Sequence, residues 1–315
     1  MLALIVLLQT LTLAVSGPAT SPEYLPIWVA SADGHFNRQG LRVTLRMTRS
    51  EVGAAEALAQ SQVDLAATSL EALLRFGIRD GQNPRLLLGL TAAPPAALVG
   101  DVAHGRLRTV ADLTGQRVAL SAPGAAEHTW LTLLLARARL TPAQIHLTSV
   151  GNRGLERALM SGEVRAALVP EPIASHLLAD QRATLLADLR TPAMAQEALG
   201  VLTVSAAVFV RAERRPGERE LAAFTRAILA AEERFGAHTA PAELATKLPK
   251  NVVGASVEAF EARVRQARTL YLADGRVSSE QLEATLELLR GHLPLPARAR
   301  VQLLPQGRVK PTTSR

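Results

Sequence analysis

Beyond residue 9 the chain alternates strictly, with Leu11, Leu13 and Val15 on one side of an extended backbone and Thr12, Ala14 and Ser16 on the other. A period of two predicts a half-buried strand over 11–16. Residues 1–9 ahead of it form a largely apolar stub that lacks a basic leading region and is too short to cross a bilayer, which takes about 20 residues. The stub reads as a truncated export signal, with a slightly long first strand as the alternative. Further on, apolar runs and helical spacing predict strands over 42–47 and 63–67 with helices over 24–36 and 53–60. A second set follows, with strands over 117–121, 145–150 and 166–169 and helices over 127–138 and 154–160.

An internal repeat joins the two sets. Residues 50–69 laid over 151–170 without gaps match at Gly53/Gly154, Ala57/Ala158, Leu58/Leu159, Val63/Val164 and Ala66/Ala167. Upstream, 14–18 pairs in the same order with 119–123. Each half is therefore a βαβαβ unit with parallel strands. Right-handed crossovers place every strand-to-helix loop at one edge of the sheet, and that edge is where such sheets hold ligands.

Composition narrows what two such units can do. At 315 residues, 48% of them hydrophobic, the chain suits two lobes of about 100–150 residues each. From 218 onward it predicts helices over 218–235, 256–272 and 278–289 on the outside of the lobes, then a loose tail from 294. Thr141-Pro142-Ala143-Gln144 and Ser278-Ser279-Glu280-Gln281 are helix-capping patterns, the second with Val277 and Leu282 placed as a hydrophobic staple. The formal net charge is +7, yet only Lys247, Lys250 and Lys310 of the 35 basic residues are lysines. The arginines are spread along the chain and aromatics make up 3%, so no nucleic-acid partner is expected. The absence of cysteine excludes disulfides, thiolate metal sites, cysteine nucleophiles and a lipid anchor on an N-terminal cysteine. No zinc-protease, nucleophile-elbow or phosphate-loop motif occurs, and the seven histidines show no metal-ligand spacing, so no catalytic residue, metal or cofactor is expected.

Longer segments carry a resemblance. They are Tyr24-Leu25-Pro26-Ile27-Trp28-Val29-Ala30, Gly34-His35-Phe36, Gly40-Leu41-Arg42-Val43, 53–64 and Asp112-Leu113-Thr114-Gly115-Gln116-Arg117-Val118-Ala119. Pro123-Gly124, Gly162-Glu163-Val164 and Glu171-Pro172-Ile173-Ala174-Ser175 complete the set. In order and spacing, over residues 11 to 210, they resemble the nitrate, sulfonate and taurine-type periplasmic solute-binding proteins, whose wider group includes thiamine-precursor binding proteins. The resemblance implies a two-lobed α/β fold of the type II, Venus-flytrap kind, with lobe one from 10–98 and 208–315, lobe two from 99–207, and crossing strands at 97–99 and 207–210. It also implies an exported, periplasmic monomer, without cofactor, that carries a small polar or anionic solute to an ABC permease and cycles by hinge motion. A ligand-sensing module coupled to a membrane signalling partner is an alternative of a different class. A related pyrimidine synthase of thiamine biosynthesis depends on a cysteine-rich motif that this chain lacks.

Physical chemistry points to the same cleft. Loops ending at helix N-termini offer unpaired N–H groups and positive partial charge, worth roughly 0.3 to 2 kcal/mol each toward an anion. Such loops hold Ser16, Gly17, Thr20 and Ser21; Ser50 and Glu51; Gly124, Ala125, His128 and Thr129; and Asn152 and Arg153. Thr68, Ser69 and Thr91 follow strands of the first lobe and are expected to offer hydroxyls. Tyr24 and Trp28 are candidates to wall the pocket, and Arg153 to pair with a sulfonate or carboxylate. Glu171, which the resemblance puts near the cleft mouth, suits a ligand amine or amide. Where many relatives carry hydroxyls after Pro-Gly, this chain has Ala125 and Ala126 followed by Glu127 and His128. That weakens simple nitrate or sulfonate as the solute and leaves room for a bulkier, zwitterionic or neutral one.

Overall fold

Strand β1 (Gln9–Val15) carries the first alternation, but both of its faces are covered. Leu11, Leu13 and Val15 enter one hydrophobic cluster and Ala14 enters another. The half-buried expectation fails because β1 lies inside a sheet, paired in parallel with β2 (Leu41–Met47) on one side and β3 (Leu65–Ser69) on the other. The computed structural model describes residues 9–78, 83–103, 105, 107–121, 126–213, 215–235, 240–296 and 299–304. The predicted stub up to residue 8 and the site residues Gly124 and Ala125 lie outside the described residues.

The first unit also holds α1 (Leu25–Ala32), α2 (His35–Arg38), α3 (Glu51–Ala59), α4 (Leu70–Phe76) and β4 (Arg85–Gly89). The second contains β5 (Ala96–Asp101), β6 (Arg117–Leu120), α5 (Ala126–Arg137), β7 (His146–Ser149), α6 (Asn152–Met160), β8 (Ala166–Pro170), α7 (Ile173–Ala179), β9 (Ala183–Asp188) and α8 (Pro192–Leu199). The chain then returns through β10 (Ala206–Val210), α9 (Glu218–Glu232), α10 (Pro241–Lys247), α11 (Lys250–Val253), α12 (Val257–Ala267), α13 (Ser279–His292) and β11 (Gln302–Leu303).

Two sheets result, ordered β11-β4-β10-β3-β1-β2 and β7-β6-β8-β5-β9. The repeat is visible in both. The parallel trios β3-β1-β2 and β8-β6-β7 share one order, and each is extended by an antiparallel strand, β10 beside β3 and β5 beside β8. Because β5 follows β4 in the chain and β10 follows β9, the backbone crosses between the sheets twice. This is the two-lobed α/β architecture that the repeat and the resemblance imply.

Several expectations shift in detail. The helix over 24–36 is divided: a 3-10 turn, Pro22–Tyr24, precedes α1, and Gly34 at φ 72° separates α1 from α2. The helix over 256–272 stops at Ala267, and Tyr271 beyond it forms an isolated bridge with Thr91. The tail is not loose throughout, since β11 pairs with β4 and both Val301 and Leu304 are buried. Helix α13 packs against α5 of the second unit, its Leu282, Leu286 and Leu289 sharing a cluster with Trp130, Leu131 and Leu134. At about 1.5–3 kcal/mol per buried leucine, the last helix braces both lobes instead of covering one. The first capping pattern forms as expected, Thr141 N donating to Gln144 Oε1 at 2.8 Å; in the second Gln281 N donates to Ser278 Oγ at 3.0 Å, while the Gln281 side chain turns to the Thr203 carbonyl at 2.7 Å.

Candidate functional site

A cavity of about 400 Å³ opens where the carboxyl ends of the parallel strands of both sheets meet. From the first unit its wall takes Gly17, Thr20, Ser21, Glu23 and Tyr24 after β1, Arg49, Ser50 and Glu51 after β2, and Glu71, Arg75 and Phe76 of α4. The second unit supplies Pro94, Pro95 and Ala96 leading into β5, Glu127 of α5, Asn152 of α6, and Pro170 and Glu171 at the end of β8. Gly17 suits its place because a Cβ there would stand 2.5 Å from the Thr48 carbonyl oxygen.

Eight expected residues line this cavity: Gly17, Thr20, Ser21, Tyr24, Ser50, Glu51, Asn152 and Glu171. Ser16, Thr68, Ser69, Thr91 and Thr129 are buried and outside its wall. Ser16 Oγ donates to the Ala67 carbonyl at 2.9 Å, and Thr68 Oγ1 to the Glu51 carbonyl at 2.9 Å. Ser69 Oγ donates to Glu51 Oε2 at 2.8 Å, and Thr91 Oγ1 to Glu23 Oε1 at 3.1 Å. These hydroxyls are committed to protein acceptors behind the wall. Thr68 and Ser69 do so because β3 runs two residues further than expected and includes them. Trp28 fills the core of the first lobe. His128 is half-buried outside the wall, and Arg153, in the first turn of α6, is exposed and outside it as well. Arg153 is therefore a solvated arginine in this structure and not a charge partner in the cavity.

The larger difference is electrostatic. Helix N-termini do converge on the cavity, but the protein's own carboxylates occupy them: Glu23, Glu51, Glu71 and Glu127 each sit in the first turn of a helical element. Burial and the neighbouring Glu51 push the Glu23 carboxyl up to about 8. Burial, with Glu71 and Glu127 nearby, pushes Glu51 up to about 7, against the opposing hydrogen bond from Ser69. Glu71 is also raised by burial, offset in part by Thr129 and by Arg75, whose Nη1 lies 3.0 Å from Glu71 Oε1. Tyr24 donates from its hydroxyl to Glu51 Oε1 at 3.3 Å. Its phenol is pushed well above its ordinary value by burial and by Glu51.

Glu171 is different, because protein groups already satisfy it. Ser175 Oγ donates to Oε1 at 2.7 Å, Arg190 Nη1 stands 3.4 Å from Oε1, and Gln266 Nε2 donates to Oε2 at 3.1 Å. The last of these reaches across from α12, so Glu171 ties the two lobes. Among the described residues no group of three or more His, Asp or Glu is placed to hold a metal ion. None of their helices is long and apolar enough to cross a membrane.

Residues 21–242, most of both units and all of the cavity wall after Thr20, match the NMT1/THI5 like family. The chain belongs to that family. No curated protein matches this NMT1/THI5-like chain. Among solved structures, a Bordetella bronchiseptica protein aligns with a TM-score of 0.68 at 19% identity, covering 93% of this chain and 94% of the other. The periplasmic aliphatic sulphonate binding protein of Escherichia coli gives 0.66 at 17%, covering 90% and 91%. The alkanesulfonate-binding protein of Xanthomonas axonopodis pv. citri, bound to MOPS, gives 0.63 at 20%, covering 92% and 95%. At these identities the likeness establishes a common fold, the two-lobed α/β architecture of periplasmic binding proteins.

Proposed function

We propose that this NMT1/THI5-like protein is the extracytoplasmic solute-binding subunit of an ABC importer. It captures one small polar solute in the cavity between lobe one (10–98 with 208–315) and lobe two (99–207), and presents it to a membrane permease. The observation that carries this reading is the cavity itself: about 400 Å³, at the carboxyl ends of parallel strands, with walls drawn from both repeats. The likeness of the fold to sulfonate-binding proteins supports it, as does the crossing of the chain between sheets at two places, which suits hinge closure.

Thermal unfolding of the full chain against sulfonates, nitrate, carboxylates, amino-sulfonates, amines and pyrimidines tests the proposal. A compound at 100 times its dissociation constant stabilises the fold by about 2.7 kcal/mol, a rise of several degrees. The expected result is a saturable rise with at least one class, reduced by Asn152→Trp, which crowds the exposed mouth of the cavity. No rise with any class, or a rise indifferent to Asn152→Trp, overturns it.

A further inference from the structure

We infer that the solute is a small organic cation with two or more N–H donors, an amidinium, guanidinium or primary ammonium compound, held by Glu23, Glu51 and Glu71. The inference deepens the proposed function and rests on the cavity being the solute site.

Charge in the wall sets the sign of the ligand. Five carboxylates line the cavity against two arginines, Arg49 and Arg75. Arg75 is committed to Glu71, and Glu171 is met by Arg190 and Gln266. Among the described residues no lysine or arginine forms an ion pair with Glu23 or Glu51. Their partners are hydroxyls: Thr91 and Ser21 for Glu23, and Ser69 and Tyr24 for Glu51. Neutral donors fix the carboxyl oxygens in place and leave the pair free to ionise beside a cation. An anion in the same space would face these carboxylates at short range in a poorly screened cavity.

A second observation points independently to a missing donor. Glu71 is 7% exposed and belongs to the cavity wall; its Oε1 takes Arg75, and its buried Oε2 accepts no well-formed hydrogen bond among the described residues, with Thr129 the hydroxyl beside the carboxyl. A buried carboxylate oxygen without a donor is costly, and a ligand N–H in the cavity supplies one. The volume, about 400 Å³, is far larger than a bare metal ion needs, and the carboxylates are not arranged as metal ligands.

Geometry also ties binding to protons. The pair is partly protonated near neutrality, with Glu23 at about 8 and Glu51 at about 7. The charged and titratable groups facing it are Glu71 and Arg75 of α4, Glu127 of α5, Arg49 at the mouth, and the Tyr24 and Tyr271 phenols. A bound cation favours the ionised carboxylates, so binding releases protons and strengthens as the pH rises from 6 to 9.

Titration calorimetry on the full chain tests this with guanidinium chloride, benzamidine hydrochloride and putrescine dihydrochloride. Sodium methanesulfonate, sodium nitrate and calcium chloride run in parallel, at pH 6, 7.5 and 9 and in two buffers of different ionisation enthalpy. The expected result is binding of at least one organic cation, tenfold or more tighter at pH 9 than at pH 6, with proton release shown by the buffer dependence. Glu51→Gln and Glu71→Gln are each expected to weaken it tenfold or more, while Glu163→Gln, an exposed site outside the cavity, leaves it unchanged. The two cavity variants report on separate helices, so one of them failing to fold still leaves the other as a test. Binding of methanesulfonate or nitrate without any cation overturns this inference and leaves the solute-binding function standing. Binding of calcium alone overturns it too, and binding of nothing overturns both.

Discussion

Replacing Glu23 by glutamine is expected to stabilise the empty protein, and by more the higher the pH. In the unfolded chain this carboxyl titrates at its ordinary 4.5; in the folded protein burial and Glu51 hold it at about 8. Below pH 4.5 both states carry the proton and the residue adds no pH dependence. Between 4.5 and about 8 the unfolded chain is ionised while the folded protein keeps its proton, so stability falls as pH rises, by about 1.4 kcal/mol per pH unit. Over that interval the loss amounts to roughly 5 kcal/mol at full weight, and it levels off above pH 8. Glutamine keeps an acceptor for the Thr91 hydroxyl, but its amide N–H needs a new partner near Ser21, at a cost of about 1–2 kcal/mol. The net expectation is a variant slightly less stable than wild type at pH 5 and about 3 kcal/mol more stable at pH 8.5. Urea unfolding of both proteins in half-unit steps from pH 5 to 8.5 measures the difference, in which titrating groups not coupled to Glu23, such as the lowered His35, cancel. A difference independent of pH would mean that Glu23 is already ionised in the folded protein, and the buried acidic pair would have to be abandoned.

Two further outcomes follow from the same structure. Deleting residues 1–16 is expected to abolish cooperative folding by circular dichroism, because β1 sits between β2 and β3 with Leu13 and Val15 fully buried; a cooperative melt would refute that. Arg153→Ala is expected to change ligand affinity by less than twofold in calorimetry, since the side chain is exposed and outside the cavity wall; a tenfold loss would return it to the site.

The sheets were legible where the pattern repeated. The matches between 50–69 and 151–170 correspond to α3-β3 and α6-β8, and the parallel trio has the same strand order in both lobes. Strand β4, Arg-Leu-Leu-Leu-Gly, was not legible, because a strand covered on both faces shows no alternation to tell it from a buried helix. Strand β9 adds the further difficulty of irregular burial, and β11 consists of two residues whose pairing with β4 is purely tertiary. The cleft loops were legible because βαβ topology fixes where they lie, and eight of the expected residues line the cavity. The meaning of the acids was not. Glu23 and Glu71 look along the chain like ordinary first-turn carboxylates that favour a helix N-terminus. Only their gathering with Glu51 and Glu127 around one space, with Ser69 and Thr91 committed as donors to two of them, gives the cavity its negative sign.

That two lobes close over a bound solute is tested most directly by a distance between them. The chain has no cysteine, so Glu56→Cys on α3 and Arg157→Cys on α6, both exposed, place one spin label on each lobe. Double electron–electron resonance on the labelled full chain is then recorded while titrating the compound that gives the largest thermal shift. Closure over the solute predicts a distance distribution that moves to shorter values in proportion to occupancy. A distribution that stays unchanged when the site is saturated would contradict it.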